Sequence, residues 1–278
     1  MNNKINYYLV VKYNLIFRRS IKVIDSHIHI EKGSYTIEWI NEFVKVALER
    51  GISEIYLLEH SHRFKEFKEI YTSIALYNEY QNSWLNRKIQ LSLIDYKSFI
   101  TEVRKYEFPL KVKFGLEICY IEGSENVVKN ILDDFHWDFL IGAIHWIDGW
   151  GFDHKRDFWE GKDVDRLYKR YYDIMKNLIK SNLFDTVAHP DSIKCFGNHS
   201  SLNLKGTYLE IANLLKKFNM YAEQSAGLHL NYGCRDLGMN REMYDIFKRK
   251  NMKIHTASDA HRPEDVGKYI RELNEIFN

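Results

Sequence analysis

Short β-rich runs recur along the chain, and between them lie longer stretches whose apolar residues fall three or four apart. Seven strand candidates stand out, at 21–30, 54–60, 111–118, 137–145, 184–189, 220–225 and 253–259. Segments 36–50, 163–180, 205–218 and 241–249 carry the spacing of amphipathic helices, each predicting an apolar stripe laid against a sheet. The last helix is the best punctuated: Pro263 suits a first helical position, Glu264 and Asp265 suit the first turn, and the segment runs on to Ile276. Strand and helix in regular alternation predict repeated βα units, and hence an α/β barrel.

Length and composition narrow this picture. A single barrel of roughly 250 residues would absorb nearly all of the 278, so one domain is expected over 21–278. Residues 1–20 are left as an N-terminal appendage or edge strand, because Lys12 interrupts their apolar run and no small-residue cleavage site precedes Arg18 and Arg19. No other segment has the apolar length to span a bilayer, so no membrane partner is expected. Hydrophobic residues at 45% and charged residues at 28% are ordinary for a globular chain. Lys+Arg 40 against Asp+Glu 38 supplies no broad basic field, so nucleic acid is not expected as a partner. Cys119, Cys195 and Cys234 lie far apart with no C-x-x-C pair, which fits a reducing cytoplasm and encodes neither a disulfide framework nor a thiolate metal site.

The strand ends carry the chemistry. Reading them in order gives His27-Ile28-His29, Glu59-His60, Glu117, His145, His189 and Asp259-Ala260-His261, all metal-ligand types. In a barrel the C-terminal strand ends converge on one face. Strand residues two apart point to the same side, so His27 and His29 can share one ion. Imidazole and carboxylate together suit zinc, iron or manganese, and a carboxylate such as Glu117 can bridge two ions. His189 precedes Pro190, which predicts extended backbone there. Asp259, four residues before Pro263, is badly placed to cap the following helix. His136, His154 and His199 read as solvated loop or helix-end residues, and His255 as barrel wall. His62 and His229 stay ambiguous. Trp146, Trp150 and Trp159 read as core before they read as pocket walls. No G-x-S-x-G elbow, P-loop, H-E-x-x-H helix or G-x-G-x-x-G turn is present.

The stretches DSHIHI, LLEHS, GLEICYI, GAIHWI, AHPDSI, SAGL and SDAHRPEDVG, in this order across 22–277, resemble the PHP (polymerase and histidinol phosphatase) superfamily, most of all its histidinol-phosphatase branch. The resemblance implies a distorted seven-stranded (β/α) barrel, similar to a TIM barrel, with two or three divalent transition metals. It implies that His27, His29, Glu117 and Asp259 hold a first ion, and that Glu117, His145 and His189 hold a second. His60 and His261 would face a third, with Glu59 behind them. Two departures stand out. Tyr35 occupies a position where the family often has a histidine, so the third ion should be weak, absent or held differently, with Glu31 or His62 as substitutes. His229 occupies a position where the branch often has an arginine.

The activity implied is phosphomonoester hydrolysis of a small phosphorylated substrate by a metal-bridging hydroxide. His60 or His261 would protonate the leaving group, Arg262 would clamp the phosphate, and Tyr35 and His229 would line the substrate pocket. Arg156 and Arg235 are weaker clamp candidates. A metal-dependent amide or ester hydrolase, a PHP-type nuclease and a non-catalytic metal-binding protein remain as alternatives.

Overall fold

The computed structural model describes residues 22–276. The appendage expected at 1–20 lies outside the described residues. Strands β1 (Ile24–His29), β2 (Glu54–His60), β3 (Lys111–Cys119) and β4 (Phe139–Ala143) are followed by a ribbon of β5 (Trp146–Ile147) and β6 (Trp150–Gly151). The chain then adds β7 (Thr186–Val187), β8 (Tyr221–Ser225) and β9 (Ile254–Ala257). The order β1-β2-β3-β4-β7-β8-β9 makes one seven-stranded sheet, and its neighbours pair in parallel. Its edges meet beyond β9, where the His29 N–H donates to the Ala260 carbonyl at 2.7 Å. The sheet therefore nearly closes into a barrel.

Parallel neighbours need crossovers, and helices supply them. In chain order these are α1 (Ile37–Glu49), α2 (Thr72–Tyr77), α3 (Glu79–Lys88), α4 (Leu93–Val103), α5 (Glu125–Leu132), α6 (Val164–Ser181), α7 (Lys205–Lys217), α8 (Gly227–Tyr232), α9 (Arg241–Arg249) and α10 (Ile270–Ile276). Helix α1 shows why such segments fold as they do. The Thr36 hydroxyl accepts the Trp39 N–H to cap its start, and Ile40, Phe43, Val44 and Ala47 bury one face. Among the described residues no helix is long and apolar enough to cross a membrane.

Alternation along each strand divides the core in two. Ile55 and Leu57 of β2 face the helices, in the large cluster with Phe43 and Val44, while Tyr56 and Leu58 join Phe139, Ile141 and Ala143 inside the barrel. At the starts of β2 and β3 the buried Glu54 carboxylate meets the ammonium groups of Lys22, Lys111 and Lys113. The opposite ends of the strands carry the histidines.

The last helix departs from its expected form. Pro263–Asp265 make only a 3₁₀ turn, and α10 starts at Ile270. Gly267 and Tyr269 take φ of 72° and 62°, which no helix continues through. The Gly267 N–H donates instead to Asp25 Oδ2 at 2.8 Å, tying this segment to β1. The strand expected over 184–189 likewise shortens to Thr186–Val187.

Candidate metal centre

Strand β1 turns both of its histidines inward. The Nε2 atoms of His27 and His29 lie 2.9 Å apart, after an irregularity in the pairing with β2 between Asp25 and Ile28. Strand β3 brings Glu117 opposite them, and its two oxygens serve different neighbours. Oε2 lies 3.0 Å from His60 Nε2, 3.5 Å from His29 Nε2 and 3.6 Å from His27 Nε2. Oε1 lies 3.2 Å from the Nε2 atoms of both His145 and His189. Asp259 Oδ1 sits 3.3 Å from His29 Nε2 and 3.5 Å from those of His27 and His261.

Three groups of these donors could each hold a metal ion, with ligand atoms within 4.8 Å of one another: His27, His29 and Asp259; His29, His60 and Glu117; and Glu117, His145 and His189. The donor chemistry fits divalent transition ions. Glu117 Oε2 is also a buried carboxylate oxygen with no hydrogen-bond partner, which a cation would satisfy.

Acids behind the rings set their orientation. His27 Nδ1 meets Glu223 at 3.0 Å, His145 Nδ1 meets Asp153 at 2.7 Å, and His261 Nδ1 meets Glu31 at 2.8 Å. A proton held on Nδ1 leaves the Nε2 lone pair free to ligate. Burial alone would raise the Glu117 and Asp259 pKa values, but His60 and His27 beside Glu117, and His27 beside Asp259, hold both well below the ordinary carboxylate range. Burial and then the neighbouring His261 push His29 down to about 4. Burial likewise holds His60 well below its ordinary value. At His27 and His145 burial acts in the same direction, yet Glu223 and Asp153 outweigh it and keep both rings well above the ordinary value.

Two of the donors sit on strained backbone. His189 and Asp259 take φ of 27° and 55°, in a region that side chains other than glycine seldom adopt. The extended backbone expected at His189 is therefore not found. The chain turns sharply there, with the Ser192 N–H donating back to the His189 carbonyl and the His189 N–H donating to Glu223 Oε2. Helix α8 begins against Asp259, where a Cβ on Gly227 would lie 2.1 Å from Oδ2.

A cavity of about 280 Å³ opens beside the cluster. Glu31, His60, Glu117, His145, His189, Asp259 and His261 form its polar floor, and Tyr80, Trp84, Trp146 and Tyr232 form aromatic walls. His62 also lines it, its ring 4.5 Å from that of His60 and tilted against it. His154, expected to be solvated, has a side chain only 5% exposed and packs 4.7 Å from Trp84 on the cavity wall.

Three residues expected on the substrate side lie elsewhere. The Tyr35 hydroxyl donates to Glu59 at 3.3 Å, and its ring packs against Tyr96 and Phe99. His229 Nδ1 meets the Cys234 carbonyl at 2.7 Å, with its ring against Tyr269. Arg262 is 60% exposed beside Glu264. None of the three lines the cavity. Glu59 faces away from His60, as strand alternation requires, and pairs with Arg63 at 2.6 Å. Burial pushes its pKa up to about 7 against the pull of Arg63. Sequence reading missed Glu223 and Asp153. Glu223 could have been found as the lone carboxylate in the strand candidate 220–225, and Asp153 as the acid just past the Asp148-Gly149 hairpin turn.

The PHP domain profile matches residues 25–226. The chain belongs to the PHP domain family. That match takes in the cluster from His27 to His189. Over 258 residues this PHP chain is 26% identical to a Deinococcus radiodurans protein named "Probable histidinol-phosphatase", covering 87% of the chain and 88% of that protein. Its fold resembles the histidinol phosphate phosphatase of Lactococcus lactis solved with zinc, L-histidinol and phosphate (TM-score 0.68, 18% identity, 93% of each chain). A Listeria monocytogenes structure described as a "putative histidinol phosphatase" gives TM-score 0.71 at 18% identity, covering 88% of this chain and 98% of that one.

Proposed function

We propose that the chain is a metal-dependent phosphomonoesterase, with histidinol phosphate the first substrate to try. The observation that carries this reading is the split carboxylate of Glu117, each oxygen facing its own imidazoles, at the floor of an open cavity. The Deinococcus relative and the ligands of the Lactococcus structure support the substrate class.

In this reading His27, His29, Asp259 and Glu117 would hold one divalent ion, and Glu117, His145 and His189 another, with zinc, manganese or iron suiting the donors. A third would sit by His60 and His261, where Glu31 stands in for the missing imidazole. Its oxygens lie 2.8 Å from His261 Nδ1 and 3.8 Å from His60 Nδ1, while Tyr35 is turned away. Such ions would supply Lewis acidity toward phosphoryl oxygens and the activation of water near neutral pH.

The chain's own groups do the rest. Glu223 and Asp153 hold protons on the far ring nitrogens of His27 and His145, so these donor rings keep their orientation. His60 and His261 border the cavity, and His261, which Asp259 and Glu31 hold above its ordinary value against burial, is the ring placed to protonate the leaving alkoxide when it is not serving as a ligand, whereas burial keeps His60 neutral. The aromatic walls exclude water and pack against the leaving group.

Metal-loaded protein offered phosphate monoesters, a phosphodiester and N-acyl or ester substrates tests the reading. Turnover of monoesters is expected to exceed the others. Amide or ester turnover with no monoester turnover under zinc, manganese or iron overturns it.

A further inference from the structure

Helix α3 turns one stripe toward the cavity. Tyr80, Trp84 and Lys88, spaced four apart, all line it. The other charged side chains there, Glu31, Glu117, Asp153 and Asp259, are carboxylates, and Lys88 is the only lysine or arginine among the described lining residues. Its ammonium lies 5.7 Å from the centre of the Trp84 ring and forms no ion pair among the described residues. The nearby arginines are engaged elsewhere. Arg63 pairs with Glu59, Arg156 donates to the Phe196 carbonyl at 2.9 Å, and Arg262 stands beside Glu264. The Trp84 ring is held by tilted and edge-on contacts with His62 and His154, at 4.8 and 4.7 Å.

A phosphomonoester carries about two negative charges at neutral pH. Entering a space bordered by carboxylates, it gains from a cation on a long, mobile stem more than from any neutral donor. A rigid indole beside that cation presents a flat apolar face.

We propose that α3 is the specificity element of the site: Lys88 binds the anionic group of the substrate, and Trp84 stacks against a planar leaving group. This rests on the phosphomonoesterase reading. The place of the arginine missing at His229 is thereby taken by a lysine from a different part of the chain.

The test uses metal-loaded protein with p-nitrophenyl phosphate, whose leaving group is flat, and glycerol phosphate, whose leaving group is not. Lys88→Met should raise KM for both by about 10- to 100-fold, the range expected for losing a charged hydrogen bond, with kcat and metal content close to wild type. Lys88→Arg should restore most of the loss. Trp84→Leu should raise KM for p-nitrophenyl phosphate alone. An unchanged KM in Lys88→Met, or Lys88→Arg as impaired as Lys88→Met, overturns the role of Lys88. Equal effects of Trp84→Leu on both substrates overturn the stacking. If wild type hydrolyses no monoester, the phosphomonoesterase reading fails, and calorimetry with inorganic phosphate then decides Lys88 separately. Weaker phosphate binding by Lys88→Met than by wild type supports the assignment. Equal binding, or none by wild type, overturns it.

Discussion

Glu117 faces five imidazoles, three through one oxygen and two through the other, so a single side chain would serve more than one ion. Glu117→Gln keeps the shape and removes the charge. It is expected to empty more than one site at once and to lower turnover by more than about 100-fold, beyond the loss typical of a residue that only orients a ligand. Asp153 is such a residue, holding His145 from behind. Asp153→Asn should weaken metal affinity by about 10- to 100-fold while leaving the ion count at saturation unchanged. Elemental analysis and metal titration separate the two variants. Equal behaviour would show that Glu117 does not bridge.

Two element junctions make sharper demands than any strand or helix interior. Where α8 meets the loop after β9, Gly227 has no room for a side chain, since a Cβ would sit 2.7 Å from Asp259 Cβ and Cγ. Gly227→Ala should displace Asp259, cost about 1–3 kcal/mol as overpacking does, and reduce metal occupancy, read by thermal unfolding and elemental analysis. At the other end of the barrel, Glu54 closes the starts of β2 and β3. Burial would raise its pKa, but Lys22, Lys113 and Lys111 outweigh burial and hold it at about 2 against an ordinary 4.5. A depressed carboxylate stabilises the fold fully above its unfolded value and loses that contribution as pH falls through its folded value. The stability difference between wild type and Glu54→Gln should therefore stay constant above about pH 5 and close between 4.5 and about 2. A pH-independent difference in denaturant titrations would remove the cluster from the acid response.

For the whole molecule, the proposed centre joins β1, β2, β3 and the chain after β4, β7 and β9, so ions there would bind the folded state alone. Ligand at about 100 times its dissociation constant adds about 2.7 kcal/mol, which for a chain of this size moves Tm by roughly 5–10 °C. Chelation should lower Tm by that amount, and readdition of zinc or manganese should restore it. A Tm indifferent to chelation would mean that the cluster holds no ion tightly.

How far the sequence reaches follows from the range of the forces involved. Local periodicity marked the seven strands of the main sheet and the helices α1, α6, α7 and α9, because burial of a face imposes periods of 2 and 3.6 on neighbouring residues. The list of donors from His27 to His261 was legible for the same reason, since each lies near or just past the end of a strand that periodicity located. The break at Gly267 was not, because it depends on a hydrogen bond to Asp25, 242 residues away. Nor was the partnership of His27 with Glu223, 196 residues apart, or the choice of Lys88 over Arg262 as the cation on the cavity wall. By itself the sequence determined the seven parallel strands, the longer amphipathic helices and the ligand types that follow those strands. Only the tertiary structure decided which side chains meet, because that depends on strand register and on where each crossover lands, and no local pattern records either.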